Sequence, residues 1–66
     1  MNRHLSLTEC AILQCMAAGM STREIAIQRQ RSVNTVKGQI NLIYIKLDAS
    51  CKTDAVVKGF KAGILS

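Results

Sequence analysis

The pattern Ser-x-x-Glu stands twice near the start of the chain, at Ser6–Glu9 and at Ser21–Glu24. In such a capping box the serine hydroxyl and the glutamate carboxylate each accept a backbone N–H that a helix leaves free at its start. Two helix starts so close together fix the length of the first helix. Gly19, two residues ahead of the second box, is placed to take the left-handed conformation that ends it. Ile12, Leu13 and Met16, with Cys15 and Ala17 filling in, supply an apolar stripe, so the first helix is expected over about residues 7–18.

The second helix carries Ile25 and Ala26 inward, with Ile27 as a further candidate, and it is short because Gln28-Arg29-Gln30-Arg31 breaks the apolar pattern. Ser32 offers a third N-cap. Beyond it Val36, Ile40, Ile43 and Leu47 recur on one face of a third helix, expected over about 33–47. After the polar break at 48–52, Val56, Val57, Phe60 and Ile64 mark a fourth helix between Thr53 and Gly63. The chain holds no proline and only four glycines, too little punctuation for a β-rich fold. The reading is an all-α, four-helix domain over 1–66, with residues 1–4 as a frayed tail.

A chain of 66 residues buries only about 60% of the surface its unfolded form exposes, so stability is expected to be modest. With one Tyr, one Phe and no Trp, its core must be aliphatic. Nine Lys and Arg against four Asp and Glu give a net charge of +5, which favours a polyanionic partner. The excess is concentrated. Arg23, Arg29, Arg31, Lys37 and Lys46 stand against the single acid Glu24, leaving that segment at +4. Charge alone does not separate nucleic-acid binding from an ordinary solvated face.

Two short helices with a tight turn, the second longer and in a basic segment, are what a helix-turn-helix requires. At 100° per residue from Val36, Asn34, Lys37, Gly38 and Asn41 fall away from the core face. Lys donates to guanine O6 and N7, Asn pairs with adenine N6 and N7, and glycine lets the helix backbone approach the groove floor.

These residues carry a resemblance. Leu5-Ser6-x-x-Glu9-x-x-Ile12-Leu13, then Ala17-x-Gly19-x-Ser21-x-x-Glu24-Ile25-Ala26, then Ser32-x-x-Thr35-Val36-Lys37 and Lys46-Leu47 look like the LuxR/GerE helix-turn-helix signature, over about residues 5–65. The resemblance implies four helices, with helices 2 and 3 as the DNA-binding unit and helix 4 as the dimer contact. By position it implies base contacts at Lys37, Gly38 and Asn41, with Asn34 added from the helix face. Phosphate contacts are implied at Thr22, Arg23, Thr35, Gln39 and Lys46. Val56, Val57 and Phe60 are the expected homodimer interface.

Three departures stand out. Arg29 and Arg31 occupy positions where the family usually packs Leu and Ile or Val beneath the turn. Burying two unpaired guanidinium groups is costly, so their stems are expected to cover the core while the heads stay wet, and Arg31 is also a phosphate candidate. Gln39 replaces the family's common His and still supplies a donor. Leu42, Tyr44 and Ile45 are apolar where the family is usually polar on the outer side of helix 3, so either helix 4 packs differently or another protein docks there.

An enzyme finds little to use here: one histidine, His4, in the tail, and scattered carboxylates of which Glu9 and Glu24 are already caps. Cys10, Cys15 and Cys51 are too widely spaced for a metal site, and neither metal nor cofactor is expected. An odd number of cysteines without a signal peptide points to free thiols in a reducing compartment. A cytoplasmic, soluble protein with no membrane partner is expected, nucleoid-associated when bound. With no receiver or ligand-binding domain in the chain, its control would be external. The reading is therefore sequence-specific binding of double-stranded DNA as a transcription regulator and homodimer. The alternative is an interaction module that pairs with a larger regulator and inhibits or redirects it.

Overall fold

The computed structural model describes residues 5–65, and the tail at 1–4 with His4 lies outside them. Four helices follow one another: α1 Leu7–Ala17, α2 Thr22–Arg29, α3 Val33–Leu47 and α4 Lys52–Lys61. Both capping boxes form. Ser6 Oγ accepts the Glu9 N–H at 3.1 Å and Glu9 Oε1 accepts the Ser6 N–H at 2.8 Å. Ser21 and Glu24 repeat the exchange at 3.1 and 2.8 Å. Gly19 is left-handed at φ +86°, as its place after α1 requires. Ser32 caps α3 by accepting the Thr35 N–H.

α3 is the centre of the fold, packing against each of the other three helices while α1 packs on α4. The core is Ile12, Leu13 and Met16 from α1, Ile25 and Ala26 from α2, Val36 and Ile43 from α3, and Ala55 and Leu65 from the C-terminal end. Ile40, Tyr44 and Leu47 are half-buried beside it. Ala17, expected inward, and Ile27, a further candidate for the core, are exposed, Ile27 at 72%. Ile27 lies about 200° around the helix from Ile25, beyond the stripe that a single helix can press on its neighbour.

The inward face of α4 is made of the small residues Ala55 and Gly59, while Val57 and Phe60, expected at a dimer contact, are 44% and 50% exposed. Gly59 is where α4 meets α1: a Cβ there would stand 2.9 Å from Leu13 Cδ2 and 2.9 Å from Leu65 Cδ1. The chain then folds back, with the N–H groups of Ile64 and Leu65 both donating to Gly59 O, which drops Leu65 into the core. Val56 is half-buried against the same cluster.

Among the described residues, one polar side chain is buried with the core. Glu9, 5% exposed, caps α1 and also accepts Lys46 Nζ at 2.8 Å, tying the start of α1 to the end of α3. Burial pushes its carboxyl up, but the Lys46 ammonium and the Ser6 N–H outweigh that and hold it below the usual value. The Ser50 N–H and Lys58 likewise hold the Asp54 carboxyl below its usual value. A carboxyl with a lowered folded pKa stabilises fully above its unfolded pKa and stops doing so as pH falls through the folded value. The melting temperature is therefore expected to be flat between about pH 7 and pH 5 and to fall below about pH 4. A Tm that rises on acidification would contradict this assignment.

Candidate DNA-binding face

The face is built on the turn between α2 and α3. Gln30 takes a left-handed conformation at φ 56°, and the N–H groups of Gln30 and Arg31 donate back to Ile27 O and Ala26 O. The chain reverses within three residues before Ser32 starts α3. Thr22 and Arg23 open α2, with Thr22 half-buried and Arg23 exposed. Thr35 stands in the first turn of α3, where its Oγ1 accepts from Ser32 Oγ at 2.9 Å. Two helix starts thus lie on one basic segment, and a helix start favours phosphate through its free N–H groups and dipole.

Along α3 every residue expected at base edges is exposed: Asn34, Lys37, Gly38 and Asn41. They span about 100–200° around the helix from Val36, which is fully buried, so a single stripe faces outward. Gly38 is informative. A mid-helix glycine costs about 1 kcal/mol relative to alanine, yet a Cβ at Gly38 would meet nothing within 4 Å. The packing that explains Gly59 is absent at Gly38.

The remaining candidates divide. Arg31 is exposed and Arg29 half-buried, so neither guanidinium is enclosed by the core. Gln39 is half-buried and its Oε1 is buried without a hydrogen-bond partner. Lys46 was expected at phosphate, but its ammonium is engaged by Glu9 and its side chain is 34% exposed. That pair was missed because the cap already accounted for Glu9, and no spacing in the chain links residues 37 positions apart. Tyr44 was expected on the outer side; it lies only about 80° from Val36 and is half-buried on the core. Leu42 and Ile45 do face outward, 47% and 66% exposed. Cys10, Cys15 and Cys51 are free thiols, and no described helix is long and apolar enough to cross a membrane.

A short α2, a tight turn and a longer α3 with an exposed donor stripe define a helix-turn-helix domain. The family model described as bacterial regulatory proteins, luxR family, matches residues 3–58, and the chain belongs to that family. It is similar to the transcriptional regulatory protein YdfI of Bacillus subtilis (strain 168), 36% identical over 62 residues. Those residues are 94% of this chain and 29% of that relative, so the chain spans less than a third of its length. No solved structure matches the chain.

Proposed function

We propose that the domain binds double-stranded DNA as a transcription regulator by laying α3 in the major groove. The observation that carries this reading is Gly38, an exposed mid-helix glycine with no internal reason for its missing side chain, set between Lys37 and Asn41. Asn34, Lys37, Gly38 and Asn41 face the bases. Thr22, Arg23, Arg31, Thr35 and Gln39 flank them at phosphate, with Lys46 sharing its charge with Glu9. The test is a salt titration of affinity for mixed-sequence duplex DNA. With four to six phosphates neutralised, the logarithm of the affinity should fall with the logarithm of salt at a slope of about −4 to −5. A folded protein that shows no binding at low salt would shift the reading to the interaction module that pairs with another regulator.

The domain acts as a homodimer through α4, its two recognition helices entering successive grooves about one helical turn apart. Exposed Val57 and Phe60 support this, while Val56 contributes from its half-buried position. Val57→Glu is expected to give monomers by sedimentation with the helical circular dichroism intact. Val56→Glu, by contrast, is expected to destabilise the fold itself, because Val56 packs on the core. A Val57→Glu protein that sediments like the wild type would remove α4 as the interface.

A further inference from the structure

The outward stripe of α3 does not end at Asn41. Ile45 lies about 180° from Val36 and Leu42 about 240°, against about 140° for Asn41 and 200° for Gly38. The stripe therefore changes chemistry along its length, with donors in the first half and exposed branched aliphatics in the second. Leu42 follows Gly38 by four residues, about 6 Å along the axis, and Ile45 follows Asn41 by the same step. A helix whose first half enters the major groove therefore carries these two side chains along the same groove, one to two base pairs further on. The other large exposed apolar residues stand on other helices: Leu7 on α1, Ile27 on α2, and Val57 and Phe60 on α4.

Resting on the DNA-binding reading above, we propose that Leu42 and Ile45 are specificity residues that select thymine by its C5-methyl group. Among the base-edge features of the major groove, that methyl is the apolar one, and its burial against an aliphatic side chain removes both from water. A polar residue at either position would be indifferent to the methyl, and an aliphatic one facing cytosine or a phosphate would gain nothing. Leu42 and Ile45 continue the exposed stripe that carries Lys37 and Asn41, and this continuity favours DNA over an apolar protein surface as its occupant. Binding sites are thus expected to hold thymine beyond the positions read by Lys37 and Asn41.

The test uses a randomised duplex of about 20 base pairs, long enough for two half-sites, enriched by repeated binding to the whole protein. The winning duplex is then synthesised once with thymine and once with uracil, which differ only by the methyl. Wild-type protein is expected to bind the uracil duplex about 4-fold more weakly for each methyl contacted, the effect of burying one methyl-sized group. Leu42→Ala with Ile45→Ala, helical by circular dichroism, is expected to bring the ratio close to one, and Lys37→Ala to weaken binding while keeping the ratio. Dependence of the ratio on Leu42 and Ile45 separates a methyl contact from any change in DNA shape. Equal binding of both duplexes by the wild type overturns the inference and leaves the DNA-binding reading standing, as does a ratio that the double variant keeps. A pool that never enriches defeats both.

Discussion

Glu9→Ala is expected to lower the unfolding free energy by about 2–3 kcal/mol. The cap contributes about 1 kcal/mol, since the Ser6 N–H loses its acceptor. The rest comes from Lys46, whose ammonium loses a partner that is 5% exposed. A fully buried pair broken on one side costs about 3–5 kcal/mol. Lys46 keeps a third of its side chain in water and can rehydrate, so its share falls below that range, to about 1–2 kcal/mol. Against the 3–10 kcal/mol expected for a domain of this length, the loss is large. Urea unfolding followed by circular dichroism measures it. Glu9→Gln separates the two parts, because Gln can still accept the Ser6 N–H in a capping box and loses only the charge. It should fall between wild type and Glu9→Ala, and should flatten the acid-induced fall in Tm. A Glu9→Ala loss under about 0.5 kcal/mol would show that the contact between α1 and α3 is a surface ion pair of little weight.

This contact also marks where sequence reasoning stops. The starts of the three N-terminal helices were legible, because Ser6, Ser21 and Ser32 announce them through local hydrogen bonds, and Gly19 announces an end. Local chemistry is visible in a local window. The ion pair between residues 9 and 46 is not, since it depends on how α1 and α3 pack. The packing face of α4 was missed for a related reason. Apolar periodicity weighs large side chains, so Val56, Val57 and Phe60 marked the helix, while its inward contact is made by Ala55 and Gly59. A helix that approaches another closely must present small residues, which carry almost no hydropathy signal. Tyr44 failed differently: at about 80° it sits on the border of the α3 core stripe, where angle alone does not decide. The outward stripe of α3 was legible throughout, because the strongly apolar positions Val36 and Ile43 fixed the opposite side.

The second large effect is on DNA. Lys37→Ala combined with Asn41→Ala is expected to weaken binding to an enriched specific duplex by about 30-fold or more. Each base contact is worth about 1–3 kcal/mol, and the two positions are one helical turn apart, so their losses share neighbouring base pairs and need not add in full. The same double variant should lose only a few-fold on random duplex, because one positive charge has gone and the phosphate contacts remain. The discriminating quantity is thus the ratio of the two affinities, measured by competition at fixed salt. Arg31→Ala is the matched control: its exposed guanidinium is expected to reduce both affinities alike and to make the salt slope shallower by about 0.9. Lys46→Ala would be a poorer control, because removing that ammonium releases the Glu9 carboxylate and destabilises the fold. If the double variant lost affinity equally on specific and random duplex, the α3 stripe would be a phosphate-binding face, and base reading would have to come from another part of the domain.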